Sequence, residues 1–317
     1  MKIGFIGLGN VGGKLAGSLL RNGFDLTVRD LNQEISRPFL DNGAKWGESP
    51  KQIAETVELV ITCLPNPAAS VSVMEADDGV LAGISSGKIW VEMSTTDEEE
   101  VKRLGAKVKA MGGEALDCPV SGGCHRAATG NISIFIGGER SSFEKILPVM
   151  KVLGRRILHT GSLGSASVLK VMTNYLATAN LVTLCEALTT AKKAGMDLST
   201  TYEAIRISSG NSFVHETESQ VILNGSRDIN FTMDLVLKDI SLFQAIAERV
   251  GVPLEVSPLL IDIFKDGEER YGSREWSPNI VRRLEEACDT QVLASGFPGE
   301  MVDNEPEVSG SEVVARV

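Results

Sequence analysis

The chain has 317 residues, 43% of them hydrophobic, and a formal net charge of -11; this suits two domains with sizeable cores and disfavours nucleic acid or an anionic membrane surface as partner. Five cysteines without C-x-x-C spacing fit a reduced, cytosolic compartment, and three scattered histidines predict no metal site. No run reaches the ~18 apolar residues of a membrane span, and the apolar start is too short and glycine-interrupted for a signal peptide.

Residues 2–6 read as a buried strand, followed by Gly7-Leu8-Gly9-Asn10-Val11-Gly12 and a helical pattern carrying Leu15, Leu19 and Leu20. Further strands are predicted at 24–29, 58–63, 88–93, 115–120 and 132–136. Thr96 is expected to cap a helix, with Glu99 completing a capping box, and the acids of 97–100 suit a helix's first turn better than a metal. Strands alternating with helices imply a mostly parallel, doubly wound sheet. From 165 to 194 there is no proline or glycine and apolar residues fall on nearly all sides, which predicts one long, largely buried helix, roughly 45 Å at ~1.5 Å per residue. Gly195 suits its end and Ser199 the start of the next helix. The remainder to Asp289 is helical, and 291–317 is acidic with few signals of order. The expected domains are therefore 1–162, 163–290 and an acidic C-terminal tail at 291–317.

Gly7-x-Gly9-x-x-Gly12 sits between a strand and a helix, the context of a dinucleotide fingerprint. Gly7 allows the tight turn, Gly9 a close approach of pyrophosphate, and Gly12 close packing of helix on strand, with phosphates at the helix N-terminus. This makes the first domain a Rossmann-type sheet in an α/β chain, joined by the long helix to an all-α C-terminal domain. Asp30 ends the second strand, where a carboxylate can accept both adenosine ribose hydroxyls and repel a 2′-phosphate. NAD is expected, with NADP as the alternative because Arg29 is adjacent. Successive strand residues point to opposite faces, so both cannot face the ribose.

Lys170 and Asn174 share one face of the long helix. Burial would bring the lysine's pKa down into a range useful for proton transfer; taken alone, the segment equally fits a snorkelling lysine and a surface asparagine. The run Asp117-Cys-Pro-Val-Ser121-Gly122-Gly123 places two glycines where side chains would pack better.

Taken in order, Gly-Leu-Gly-x-x-Gly at 7–12, Leu64-Pro65, Met-Ser-Thr at 93–95, Asp117-x-Pro-Val-Ser-Gly-Gly123, Gly164-x-x-x-x-x-Lys170-x-x-x-Asn174 and Lys238-Asp239 make the chain resemble the β-hydroxyacid dehydrogenases over roughly residues 1 to 290. The resemblance implies hydride transfer between NAD(P) and a small 3-hydroxy acid or its semialdehyde. It implies Lys170 as general acid/base, Asn174 orienting substrate, and Ser121, Gly122 and Gly123 holding the substrate carboxylate on a hydroxyl and bare backbone N–H groups. Leu8, Asn10 and Val11 would meet the cofactor through backbone, Leu64, Pro65 and Thr95 would line the nicotinamide side, and Lys238 would approach it. It also implies a homodimer or homotetramer. Asn10-Val11 replaces the family's usual methionine-containing pair, Tyr175 stands where many members have a second asparagine, and Cys124-His125-Arg126 is bulkier and more basic than usual.

A phosphogluconate-type decarboxylating enzyme is disfavoured by the lack of a His-Asn pair after the lysine and by chain length. An imine reductase on the same scaffold is disfavoured by Lys170, and a non-enzymatic cofactor-binding module by retention of both the lysine and the glycine loop. Ser212, Phe213 and Phe231 are expected as pocket walls. Arg126 either grips a second anionic group, with His125 assisting if protonated, or pairs with an acid such as Glu139.

Overall fold

Short runs with buried apolar residues form the four- and five-residue strands β1 (Lys2–Ile6), β2 (Asp25–Arg29), β4 (Leu59–Thr62), β5 (Ile89–Glu92) and β6 (Glu114–Asp117), and the two-residue β3 (Lys45–Trp46) lies beside β2. They continue with β7 (Val120–Ser121), β8 (Ile132–Gly137), β9 (Gly154–Gly161) and β10 (Ser311–Glu312). The computed structural model describes residues 1–316. These strands belong to one compact unit, made of residues 1–170 and the segment from Asp303 onward, while residues 171–302 make a second.

The sheet order is β10-β9-β8-β6-β5-β4-β1-β2-β3, with β7 on β8. Strands β1 to β6 are parallel neighbours, and β8 runs antiparallel to β6 and β7. Alternate residues feed two cores, one on each face. Phe5, Ile61 and Val91 join Leu15, Leu19, Phe143 and Ile146. Ile6, Val60 and Trp90 join Ile53, Val101 and Leu104. The covering helices are α1 (Asn10–Arg21), α2 (Arg37–Asp41), α3 (Pro50–Thr56), α4 (Pro67–Glu75), α5 (Glu98–Ala110), α6 (Cys124–Ala128) and α7 (Arg140–Leu153).

Register decides where the chemistry can sit. Ile6 pairs with Arg29 and Thr62, Thr62 with Glu92, and Glu92 with Asp117. The chain therefore leaves β1, β2, β4, β5 and β6 along one carboxyl edge of the sheet. Strand order reverses at β1, which makes this edge the ligand crevice of an open α/β sheet.

The helix α8 (Ser165–Lys193) starts in the first unit and continues into the second. The second unit adds α9 (Leu198–Arg206), α10 (Phe213–Asn224), α11 (Met233–Val250), α12 (Val256–Tyr271) and α13 (Arg282–Ala287). Leu181, Leu188, Leu223, Met233, Ile240 and Phe264 form its core.

Several expectations need correction. The strand expected at 115–120 breaks at Cys118-Pro119, because proline lacks the N–H a central ladder needs; the chain resumes as β7 on a different partner. The cap of α5 is Asp97, not Thr96, and that of α9 is Asp197, not Ser199. In each case a short carboxylate accepts from backbone N–H groups of the first turn. The two compact units meet inside α8, between Lys170 and Val171, a few residues beyond the expected boundary at 162. The expected tail at 291–317 divides: 291–302 stays with the helical unit and the segment from Asp303 rejoins the sheet through β10.

Candidate active site

The turn after β1 is built from glycines for distinct reasons. Gly7 has φ +101°, and a Cβ there would lie 2.3 Å from Cys63 O. A Cβ on Gly12 would lie 2.1 Å from Gly7 O. Gly9 differs: a Cβ there would meet nothing within 4 Å, and no side chain caps the first turn of α1. An open surface beside unsatisfied helix N–H groups is what a pyrophosphate requires. The flanking Leu8, Asn10 and Val11 complete this turn. Asp30 accepts the Leu8 N–H at 2.7 Å and the Asn32 N–H at 2.9 Å, so its carboxylate is fixed beside the glycine turn. Arg29 turns elsewhere, donating to Gly47 O and Glu48 O and lying over the Trp46 ring.

The loops after β4 and β5 are tied together. Leu64 N–H donates to Ser94 Oγ at 2.7 Å, and Ser94 donates through both its hydroxyl and its N–H to Glu92 Oε1. This holds Leu64-Pro65 beside Ser94-Thr95. Glu92 is buried, and burial pushes its carboxyl up, against the pull of the Ser94 hydrogen bonds.

Gly122 and Gly123 have φ +129° and +88°. Two consecutive residues in that region require glycine and turn successive N–H groups toward one side, as an anion nest does. Ser121 is held by its pairing with Ser133 on β8. The helix α6 starts at once after Gly123. Burial first, and Arg126 second, hold His125 below the ordinary imidazole range, which weighs against a positive charge there. The acid that Arg126 meets is Glu305, with Nη2 3.7 Å from Oε1.

Lys170 is 7% exposed, on the second turn of α8. The start of that helix is pinned by Asp117, at the end of β6, which accepts the Gly164 N–H (2.8 Å), the Ser167 N–H (2.7 Å) and the Ser167 hydroxyl (2.8 Å). Burial raises the Asp117 pKa and these bonds pull it back. Asn174 stands one turn beyond Lys170. Its amide donates to Asp239 on α11, and Lys238 Nζ lies 2.8 Å from the other Asp239 oxygen. Asn174 and Lys238 thus share one buried carboxylate within the helical unit. There Ser212 caps α10 by accepting the His215 N–H, Phe213 is exposed, and Phe231 packs on the helical core.

Residues 2–161 match the family model for the NAD binding domain of 6-phosphogluconate dehydrogenase, and residues 164–284 match that for the NAD-binding region of NADP-dependent 3-hydroxyisobutyrate dehydrogenase. The 2-(hydroxymethyl)glutarate dehydrogenase of Eubacterium barkeri is 31% identical over 92% of this chain and 97% of its own. The chain belongs to the β-hydroxyacid dehydrogenase family. It binds NAD(P) and is an oxidoreductase of the hydroxyacid dehydrogenase kind. Rat mitochondrial 3-hydroxyisobutyrate dehydrogenase is 28% identical over 83% of this chain and 81% of its own. The crystal structure of 3-hydroxyisobutyrate dehydrogenase from Salmonella typhimurium superposes with a TM-score of 0.82 at 25% identity, covering 89% of this chain and 99% of that one. Among the described residues, no helix is long and apolar enough to cross a membrane and no group of three or more His, Cys, Asp or Glu could hold a metal ion.

Three carboxylates of this β-hydroxyacid dehydrogenase had no role in the sequence reading of the site: Glu92, which it does not name, and Asp117 and Asp239, which it quotes only within motifs. Each holds a loop or side chain that the motifs single out. The available signal was an acid at the end of an apolar strand or inside a helix core, where an ionisable group needs a partner.

Proposed function

We propose that the chain transfers hydride between NAD and a small 3-hydroxy acid, or reduces the corresponding semialdehyde, with Lys170 as general acid/base. The observation that supports this best is a buried lysine on a helix whose start is fixed by Asp117, in the same unit as the Ser121–Gly123 loop. In oxidation Lys170 Nζ takes the proton of the substrate hydroxyl as the carbinol carbon loses hydride; in reduction it returns that proton to the forming alkoxide. The bound nicotinamide supplies the hydride acceptor or, when reduced, the donor. Ser121 Oγ and the Gly122 and Gly123 N–H groups hold the carboxylate, and Asn174 orients the rest of the substrate. Leu64, Pro65 and Thr95 form the wall against the nicotinamide, and Lys238 is a further cofactor contact.

NAD is favoured over NADP because Asp30 would repel a 2′-phosphate while Arg29 is committed to Gly47 and Glu48 carbonyls. The relatives' names support the substrate class: 3-hydroxyisobutyrate and 2-(hydroxymethyl)glutarate both carry a hydroxymethyl group on the carbon next to a carboxylate. Met172 and Leu176 are exposed on α8, which favours a homodimer or homotetramer, to be checked by light scattering. Five free cysteines suit a reduced, cytosolic setting.

The test is a panel of 3-hydroxy acids and semialdehydes with NAD and NADP, followed by nicotinamide absorbance. Turnover of a 3-hydroxy acid, faster with NAD, is expected. Cofactor binding without turnover of any of them would favour a non-enzymatic module, and turnover of cyclic imines alone an imine reductase.

A further inference from the structure

The C-terminal segment is lashed to the dinucleotide unit along its length. Gly310 N–H donates to Lys151 O at 2.7 Å, and a Cβ on Gly310 would fall 1.9 Å from Gly154 O, so the chain enters the sheet edge only as glycine. Ser311 and Glu312 pair in parallel with Arg156 and Ile157, and Glu312 meets Arg140 through both oxygens. Upstream, Glu307 accepts from Asn22 at 3.0 Å and lies 3.5 Å from Arg21 Nη2. That same guanidinium donates to Ala128 O, the last carbonyl of α6, at 2.7 Å. Glu305 faces Arg155 at 2.5 Å and Arg126 at 3.7 Å. Asp303 accepts from the Thr129 hydroxyl and, at 2.8 Å, from the Asn131 amide.

Three of these anchors converge on α6 and the residues that follow it. The helix has five residues and follows Gly123 directly, so its placement sets the direction of the loop before it. The exposed pairs of Glu305, Glu307 and Glu312 each contribute little. Asp303 is different: it is half-buried, it also accepts the Glu305 N–H at 3.2 Å, and its partner Asn131 is buried. Hydrogen bonds to a carboxylate are roughly twice as strong as neutral ones. Burial alone would raise the Asp303 pKa, but the Thr129 and Asn131 bonds outweigh it and hold the group ionised.

We propose that Asp303 is a positioning residue for the substrate: by holding Thr129 and Asn131 it fixes α6 and, through α6, the backbone donors of Gly122 and Gly123. This rests on the reading of that loop as the carboxylate cradle. The C-terminal segment, beyond the stretch matched by the family models, thereby becomes part of the substrate site.

The test uses the full chain with NAD and 3-hydroxyisobutyrate as probe. Asp303→Ala is expected to raise KM about 5- to 20-fold, a loosened but intact site, with kcat within about twofold and the Kd for NAD unchanged. Thr129→Val should act in the same direction, and the double variant should be no worse than the larger single one, as for two members of one hydrogen-bonded pair. Asp303→Asn, which keeps an acceptor, should restore most of the affinity and guards against misfolding of the alanine variant. Glu312→Gln, on the same segment but remote from α6, should lower Tm slightly and leave KM alone. An unchanged KM in Asp303→Ala and Thr129→Val, while Ser121→Ala raises it, overturns the positioning role and leaves the carboxylate reading standing. An equal rise in KM from Glu312→Gln also overturns it. A Ser121→Ala variant with normal KM refutes the carboxylate reading, and the role of Asp303 with it.

Discussion

The two units hold their buried acids in different ways. In the dinucleotide unit, Glu92 and Asp117 accept from backbone N–H groups and serine hydroxyls. In the helical unit, Asp239 sits against Lys238 and Asn174, and Glu285 accepts both Arg227 contacts at 2.9 Å. Strand ends and turns expose N–H groups that a carboxylate can use; the interior of a helix has already spent its own, so the charged partner there is a side chain, and only the Val292 N–H, from the segment after α13, adds a backbone donor to Glu285 at 2.7 Å. The lesson is that geometry in the first unit depends on backbone shape, and in the second on charge.

The comparison breaks most visibly at Gly12. Its Cβ would run into Gly7 O, so Gly12→Val should abolish NAD binding, as read by cofactor fluorescence, and added salt should not restore it. Retained binding would mean that the glycine turn tolerates a rebuilt backbone.

A charge change in the helical unit should be graded instead. Asp239→Asn keeps an acceptor for Asn174 but removes the negative charge that faces Lys238. We expect kcat/KM to fall roughly tenfold, with the variant folded by circular dichroism. A loss as complete as that of Gly12→Val would contradict the contrast.

Glu218 sharpens it further. One of its oxygens is buried without a hydrogen-bond partner, and burial pushes its pKa up to about 8. The unfolded carboxyl titrates near its ordinary value, so its stability contribution is full below that value and is lost as pH rises toward about 8. Glu218→Gln should therefore raise the unfolding free energy over the wild type, read by denaturant titration, by an amount that grows from about pH 5 and levels off above about pH 8, on the order of 4 kcal/mol at the top. A constant difference across that window would show that the site is well hydrated.

The smallest effect is expected at Arg126, whose guanidinium already faces Glu305. Arg126→Ala should change kcat/KM by less than about twofold, equally for a monoanionic and a dianionic substrate. A loss confined to the dianion would make Arg126 a specificity residue.

Much of this was legible in the sequence, and the reasons differ by element. The glycine turn could be read because Gly7 and Gly12 have steric causes and Gly9 leaves an open surface, whereas Lys170 was ambiguous on its own helix and was singled out only by the series of motifs. The start of α5 was misplaced by one residue and that of α9 by two because Thr96 and Ser199 are good caps in isolation, yet it is Asp97 and Asp197 whose carboxylates accept first-turn N–H groups. Pro119 was visible, but not that the strand would resume on β8. The C-terminal acids gave no periodic signal. Asp303, Glu305 and Glu312 find partners about 150 or more residues away, and local pattern carries no information on pairing at that range.

The central claim is that Lys170 moves the proton while the turn at Gly7–Gly12 holds the cofactor. It is tested most directly by Lys170→Met, measuring NAD affinity and turnover of the best 3-hydroxy acid on one preparation. The account predicts an NAD Kd near that of the wild type with kcat lower by a factor of ~10²–10⁴. Turnover near the wild-type rate in that variant would contradict it.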